Sequence, residues 1–245
     1  MEVHHHSHTA RKKWTHYFWE FLMLFLAVFC GFLAEYQLEH KIERDRERAY
    51  IKSMIEDLKA DTLSIGNNLA FRSGRRRRLD SLSLLLQQSD FSNHTGLIYY
   101  YARWGARNPS FYLTDRTLSQ LKNSGNMRLI RKMDISNAIV AYDAQVKFLS
   151  NQSLALEQNN VQDYFRLMTH IFAGSVMDEI YGDSTLLIPK GNPPLLTNDR
   201  KVIDEFLSNL HFVKSINNRN IYFETRLKQQ AAETIEILKK AYRLK

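Results

Sequence analysis

The apolar residues of this chain recur at helical spacing over three long stretches. The first stretch comprises Ile51, Ile55, Leu58, Thr62, Ile65 and Leu69. The second comprises Ile135, Ile139, Tyr142, Val146, Leu149, Ser153 and Leu156, and continues through Asn160, Tyr164, Leu167 and Ile171. The third comprises Phe223, Leu227, Ala231, Ile235, Leu238 and Tyr242. Side chains at this spacing share one face of a helix, so the pattern predicts an all-α fold built around an antiparallel bundle of long helices.

Residues that start and stop helices divide the rest of the chain. The candidate N-caps are Thr114 or Asp115, Asp134 or Ser136, and Asn198 or Asp199. Gly125 ends the helix after the first cap, because glycine readily takes the left-handed conformation of a helix stop. The last cap begins a helix to about Val213, and the final helix follows it. Three of the four prolines, at 189, 193 and 194, lie before the Asn198 or Asp199 cap, in what we interpret as a connection between helices.

The most apolar part of the chain lies near its N-terminus. Fourteen uncharged, mostly large residues stand between Glu20 and Glu35, and the flanking aromatic residues extend this segment to Tyr17 and Tyr36. Twenty helical residues span about 30 Å, which is the thickness of the hydrocarbon layer of a membrane. Aromatic residues at both ends and three basic residues at positions 11 to 13 suit the two interfaces. We therefore expect an uncleaved, single-pass transmembrane helix at residues 17 to 36.

Other interpretations of this segment are a core helix of a soluble protein and a secretory signal. A signal is the weaker of the two, because the small residues of a cleavage site are missing. For orientation, the short basic arm favours an N-terminus in the cytoplasm, although five basic and four acidic residues follow in positions 37 to 52. Since long domains translocate largely regardless of charge, we expect residues 37 to 245 in the periplasm and the helix in the cytoplasmic (inner) membrane.

One face of the membrane segment carries small residues. Around a helix, Glu20, Ala27, Gly31 and Ala34 lie within roughly 60° of one another, with Cys30 at the edge. Five phenylalanines lie on nearly the opposite side. Small residues let membrane helices approach closely, so this face is a candidate surface for self-association. The alternative is that small residues are simply ordinary in a membrane helix.

Composition suggests the remaining domain boundaries. Residues 1 to 16 form a basic arm with four histidines among its first eight residues. Residues 37 to 72 form a helical stalk, and residues 73 to 245 form a bundle domain that packs with the stalk. The apolar seam of the stalk packs either on another chain, as in a coiled coil, or on later helices of the same chain. The histidine-rich arm could bind zinc or nickel, but no neighbouring residues fix a coordination geometry.

Positive charge is concentrated at one point of the chain. The formal net charge is +8, and basic and acidic residues are interleaved almost everywhere, as on solvated helix faces. The exception is Arg75, Arg76, Arg77 and Arg78, a candidate basic patch for phosphate, nucleic acid or anionic lipid. Because no aromatic residues are interleaved with these arginines, we interpret them as a solvated basic turn and expect no nucleic-acid partner.

Motifs for catalysis or cofactor binding are missing. The nine glycines form no phosphate-binding loop, and HExxH, CxxC and GxSxG do not occur. His40 has Glu39 and Glu43 beside it, but on a charged, exposed helix these residues are more simply solvated. We therefore expect a non-enzymatic protein without a cofactor, and we assign no catalytic or metal-binding residue.

Two passages resemble a known group of proteins. The start, "KKWTHYFWEFLMLFLAVFCGFLAEYQLEH" with "ERAYIKSMIEDLKADT", is similar to the start of a large group of uncharacterised single-pass membrane proteins from Bacteroidota. "LSQLKNSGNMRLIRKMDISNAIVAYD" resembles a leucine–serine–glycine–asparagine segment in the middle of the same group. The resemblance implies a native histidine-rich start, a membrane anchor and a helical outer domain. It implies no activity and no binding residue.

The function that these features favour is that of a membrane-anchored interaction or scaffold protein, with the lipid bilayer and a protein partner or second copy as its contacts. One alternative is a sensor whose extracytoplasmic bundle binds a small ligand and acts through a partner protein. Another is a cytoplasm-facing module that binds nucleic acid or anionic lipid through Arg75 to Arg78. The three hypotheses differ in the side of the membrane on which the bundle lies and in the ligand it binds.

Overall fold

Helices make up the regular structure of the protein, as the sequence pattern predicts. A computed structural model describes residues 14 to 110, 112 to 181 and 185 to 244, without the side chains of residues 152 and 153. The α-helices are α1 (Trp14–Leu86), α2 (Thr95–Gly105), α3 (Arg116–Asn123), α4 (Met133–Phe148), α5 (Leu154–Ile171), α6 (Gly174–Glu179) and α7 (Arg200–Tyr242). Short 3₁₀ turns cover Ser92–His94 and Asn126–Leu129, and a π turn covers Leu149–Ser153. The all-α prediction is confirmed.

The chain divides into two compact units, Met1–Tyr50 and Ile51–Lys245. This division falls inside the segment that the sequence suggested as a stalk, and residues 51 to 72 belong to the bundle. The histidine-rich arm lies outside the described residues except for its last three positions, which begin α1.

In the first unit, the large apolar side chains from Tyr17 to Tyr36 are exposed, except Leu22, which is half-buried. Helix α1 is the one helix among the described residues that is long and apolar enough to span a membrane, and its apolar part lies near the N-terminus. Phenylalanine rings stack along one side of it, with centroids 6.2 Å apart for Phe21 and Phe25 and 5.8 Å apart for Phe25 and Phe29. None of the span is buried within the described part of the chain.

In the second unit, the buried residues of α1 recur every seven positions. One series is Ile51, Leu58, Ile65, Arg72, Leu79 and Leu86, and the other is Met54, Asp61, Asn68, Arg75 and Leu82. The predicted apolar seam therefore packs within its own chain. The basic turn expected at residues 75 to 78 is wrong, because α1 continues through Gly74 and the arginines without a break.

The second apolar stretch predicted from the sequence, from Ile135 to Ile171, shifts by one residue where α4 meets α5. Ile135, Tyr142 and Leu149 are buried at intervals of seven, but the next buried residue is Glu157, eight positions later. The π turn at Leu149–Ser153 supplies the extra residue, since a π turn has a wider ring than an α turn. Leu156, which the sequence placed on the seam, is consequently exposed.

The last two predicted helices are one helix, α7. Asp199 caps it as expected, accepting a hydrogen bond from the Lys201 amide at 2.9 Å. The polar stretch after Val213 does not end the helix, because Asn217 and Asn220 continue the buried heptad of α7 and bind other polar groups in the core.

Contacts between side chains and neighbouring helices set the helix directions. From Arg72 through Asp80 to Leu86, the partners of α1 on α7 run backwards from 224 through 214 to 200, so these two helices are antiparallel. From Asp61 to Arg75, the partners on α4 and α5 run forwards from 142 to 157, so α1 is parallel to them. The segment that holds α2 and α3 returns the chain between α1 and α4.

The cap of α3 comes from α1 rather than from the predicted Thr114 or Asp115. Asp115 occupies the cap position but makes no capping bond. Instead, Asp57 accepts a hydrogen bond from the Thr117 amide at 3.0 Å. The neighbouring Asp61 accepts from the Thr114 amide at 2.6 Å and from the Tyr142 hydroxyl at 2.8 Å. Two buried carboxylates of α1 therefore hold the returning segment in place.

The aromatic-rich segment after residue 89 is mainly helical and partly core. Tyr99 of α2 is fully buried in the main apolar cluster with Tyr164 and Phe206. The Tyr164 hydroxyl donates a hydrogen bond to the Ala102 carbonyl at 2.8 Å. Gly105 is needed at the end of α2, because a Cβ atom there would lie 2.4 Å from the Tyr164 ring.

Candidate functional site

Polar residues replace apolar ones in the middle of the bundle. There, the heptad positions of α1, α5 and α7 bring together Arg72, Arg75, Glu157, Asn217, Asn220 and Glu224, all of them buried. We call these six residues the polar layer. Along α7, the apolar Val213 and Leu227 flank the polar layer. Along α1, Leu79 and Leu82 follow it, and the buried Asn68 precedes it.

Glu157 lies at the centre of the polar layer. Its two oxygens accept hydrogen bonds from Arg72 Nη1 and Nη2, each at 3.0 Å, which is the paired geometry that arginine and carboxylate favour. Oε1 also accepts from Arg75 Nη1 at 2.7 Å, and Oε2 accepts from Asn220 Nδ2 at 2.9 Å. The π turn before α5 aims this carboxylate at both arginines.

The two arginines connect Glu157 to α2 and α7. Arg72 Nε donates to Glu224 Oε1 at 2.7 Å, and Asn217 Nδ2 donates to the Arg72 carbonyl at 3.2 Å. Arg75 Nη2 and Nε donate to the carbonyls of Gly105 and Trp104 at 2.7 and 3.2 Å. Arg75 therefore binds two carbonyl groups at the C-terminal end of α2, where helices leave carbonyl groups available.

The charges of the polar layer balance, with two arginines facing two glutamates. Burial alone would raise the pKa of Glu157, but the hydrogen bonds and charges of Arg72 and Arg75 hold that pKa below its ordinary value. Burial raises the pKa of Glu224, and the charge of Arg72 offsets only part of that rise. The pKa values of the two glutamates shift in opposite directions because Glu157 accepts hydrogen bonds at both oxygens, whereas Oε2 of Glu224 has no hydrogen-bond partner among the described residues.

The polar layer is closed rather than open to a substrate. No space for a water molecule remains beside Arg75 and Glu157, where the cavity volume is about 0 Å³. Among the described residues, no group of three or more histidine, cysteine or acidic side chains could hold a metal ion. An arrangement of this kind can fix which faces of the helices meet, because any other register would bury unpaired charges.

The candidate association face lies in the first unit. Glu20, Ala27, Cys30, Gly31 and Ala34 are all exposed, and Cys30 is a free thiol. A Cβ atom added to Gly31 would meet nothing within 4 Å in the described chain. Self-association through this face stays a prediction.

The candidate basic patch separates into buried and exposed members. Arg75 belongs to the polar layer and is unavailable to an outside ligand, so its inclusion in the patch is wrong. Arg76 and Arg77 are exposed, while the Arg78 guanidinium lies 4.0 Å from the centre of the Trp104 ring. The patch therefore does have an aromatic neighbour, which comes from α2 and is invisible in the local sequence.

Two surface clefts have the volume of a small-ligand site. One, of about 570 Å³, lies between α4 and α7 and is lined by Gln145, Phe223, Arg226, Gln229, Gln230 and Glu233. The other, of about 400 Å³, lies between the start of α2 and the start of α7, with Phe91, Asn192 and Arg200 in its lining.

The sequence signal for the polar layer is the heptad itself. The positions of Ile51, Leu58 and Ile65 extend by steps of seven to Arg72, Leu79 and Leu86, so Arg72 falls on the buried face. Glu157 has no such signal, because the one-residue shift that buries it arises in the π turn. No family model, curated protein or solved structure matches this chain.

Proposed function

We propose that this chain is a non-enzymatic, membrane-anchored interaction or scaffold protein whose helical bundle is its binding module. The observation that carries the proposal is the contrast between the two units. Thirteen large apolar side chains from Tyr17 to Tyr36 are exposed, whereas the second unit buries its own apolar seams. An exposed apolar surface of this extent requires a lipid or protein partner.

The anchor that we propose is a single pass through the cytoplasmic (inner) membrane. Basic residues 11 to 13 precede the span, which favours an N-terminus in the cytoplasm and a periplasmic bundle. The same arrangement is implied by the resemblance to the single-pass proteins of Bacteroidota. The small-residue face from Glu20 to Ala34 then offers a route to a second copy of the chain within the membrane.

Two C-terminal fusions test the topology. Alkaline phosphatase is active only outside the cytoplasm, and green fluorescent protein exported by the general secretory route does not become fluorescent there. We expect phosphatase activity without fluorescence. Fluorescence without phosphatase activity would place the bundle in the cytoplasm and contradict the proposed orientation.

The cleft between α4 and α7 supports a second candidate, a sensor that binds a small ligand. Its volume of about 570 Å³ lies within the range of ligand sites, which is roughly 300–1,000 Å³. A thermal-shift screen of the purified chain with metabolites separates the two candidates. A compound that raises the melting temperature of the native chain but not of a Phe223→Ser variant would favour the sensor over the scaffold.

A further inference from the structure

The surface next to the polar layer carries arginines that have no acidic partner among the described residues. These are Arg77, Arg78, Arg103 and Arg107, which with Trp104 we call the arginine surface. No carboxylate of the described residues forms an ion pair with any of the four. Asp80 is the acid closest to Arg77 along α1, and it pairs with Lys214 of α7 at 2.6 Å. The surface is therefore positively charged, and no acidic side chain of the described residues pairs with its arginines.

Trp104 organises the arginine surface. The guanidinium carbon of Arg78 lies 4.0 Å from the centre of its ring, and that of Arg107 lies 5.2 Å away. Gly74 lies beside the end of this side chain, because a Cβ atom at that position would stand 2.9 Å from Arg78 Nη1. An alanine there would improve helix propensity but displace the Arg78 guanidinium.

Arg103 adds a group whose hydrogen bonding is incomplete. Its guanidinium packs over the Tyr181 ring at 4.6 Å, and its Nε donates no hydrogen bond within the described chain. Burial and the charge of Arg107 both lower the pKa of Arg103. Like charges are thus held near one another, and an anion bound at the exposed part of the arginine surface would reduce their repulsion.

We propose that the arginine surface binds a carboxylate-rich peptide segment of a protein partner. Guanidinium groups match carboxylates in paired geometry, and arginine, tryptophan and tyrosine are the residues that dominate binding energy at protein interfaces. Nucleic acid fits less well, because the guanidinium of Arg78 already covers the Trp104 ring on which a base would stack. This inference rests on the proposed interaction function and names the partner chemistry and the surface that recognises it.

Binding is measured by fluorescence anisotropy on the full chain in nanodiscs of neutral phosphatidylcholine. The probe is a fluorescein-labelled oligoglutamate peptide of about ten residues, and oligoglutamine of the same length is the uncharged control. We expect saturable binding of oligoglutamate that weakens as salt rises from about 50 to 200 mM, because exposed charges are screened beyond a Debye length of about 10 Å. Oligothymidylate of matched charge and phosphatidylglycerol vesicles serve as competitors.

A matched pair of double variants locates the site. Arg77→Gln with Arg107→Gln removes two charges from the arginine surface, and we expect about tenfold weaker binding, the equivalent of roughly 1.4 kcal/mol. Lys52→Gln with Lys59→Gln removes two exposed charges from α1, at least about 25 Å from Arg77 at the rise of an α-helix. The lysine variant is expected to bind within about twofold of the native chain.

Gly74→Ala distinguishes binding from folding. Alanine improves helix propensity and displaces only the flexible end of Arg78, so the melting temperature should be unchanged or higher while oligoglutamate binding weakens. Equal losses in the arginine and lysine variants, unaltered binding by Gly74→Ala, or no binding of oligoglutamate would each overturn the inference. Tighter binding of oligothymidylate or vesicles than of oligoglutamate would also overturn it. The proposed function is tested by a different result, because it is contradicted only if the chain is not anchored in the membrane.

Discussion

Replacing Glu157 with glutamine is the sharpest perturbation of the bundle. Glutamine keeps the size of the side chain but removes the charge that Arg72 and Arg75 share. Glu157 accepts four hydrogen bonds of 2.7 to 3.0 Å, three of them from the two buried guanidinium groups. After the substitution, the buried guanidinium groups of Arg72 and Arg75 have only Glu224 as an acidic partner. The N–H₂ group of the glutamine would also face an N–H donor instead of an acceptor.

The expected magnitude follows from the burial of this network. Removing one partner of a buried ion pair costs about 3–5 kcal/mol, because the remaining charge stays out of water. With a urea dependence of about 2.5 kcal/mol/M for a unit of this size, the unfolding midpoint should fall by about 1–2 M. Unfolding is followed by circular dichroism of the full chain in detergent micelles, with the pH held at 7.

Glu205→Gln is the matched control for this measurement. Glu205 is an exposed carboxylate 4.0 Å from Arg166, and exposed pairs of this kind contribute about 0–1 kcal/mol. A loss for Glu157→Gln no larger than the loss for Glu205→Gln would refute the reasoning.

The pH dependence gives a second check on Glu157. Folding lowers the pKa of this carboxyl below the ordinary 4.5, so its contribution to stability is complete above the pKa of the unfolded chain. The contribution is lost as the pH falls through the folded-state pKa. The stability difference between the native chain and Glu157→Gln should therefore be constant from pH 7 to about pH 5.5 and shrink at more acidic pH. A difference that grows as the pH falls would contradict the assignment.

Three further predictions concern other parts of the chain. Deleting Ser150 should turn the π turn into regular α-helix, keep Glu157 in the core and change the free energy of unfolding by no more than about 1 kcal/mol. Deleting Asn159 should lower the free energy of unfolding by more than about 3 kcal/mol, as measured by denaturant titration. Asp57→Ala removes the cap of α3 and should cost about 1–2 kcal/mol in the same titration, against no more than about 0.5 kcal/mol for the exposed Asp204→Ala. Mild oxidation of membranes should give a dimer linked through Cys30, and Gly31→Leu should reduce it; a strictly monomeric native chain would contradict the association face.

Apolar spacing was sufficient to predict the fold class and the long helices. It reveals Ile51, Leu58 and Ile65 as a buried face, because apolar side chains leave water wherever a helix face packs. The polar stretch around Asn217 was misread as a break, since asparagine is a poor helix former by propensity. Tertiary hydrogen bonds to Asn217 and Asn220 outweigh that propensity and keep α7 continuous.

The arrangement of the candidate sites depends on contacts that local sequence does not contain. Four arginines in a row suggest one surface, so Arg75 was grouped with Arg76, Arg77 and Arg78. The buried heptad positions of α1 include Arg75 but none of the other three. The cap of α3 comes from Asp57, sixty residues before the amide that it accepts from. Arg78 meets Trp104 across two helices, so the arginine surface emerges only after the chain has folded.

Alkaline carbonate extraction tests the central claim, that residues 17 to 36 anchor the protein in a lipid bilayer. Membranes from cells that express the native chain are washed at high pH and sedimented. The account predicts that the full-length chain remains in the pellet, and that Phe25→Glu with Phe29→Glu moves into the supernatant, since each charge near the centre of a span costs about 2.5–3.5 kcal/mol. Recovery of the native full-length chain in the supernatant would contradict the anchor and, with it, the proposed function.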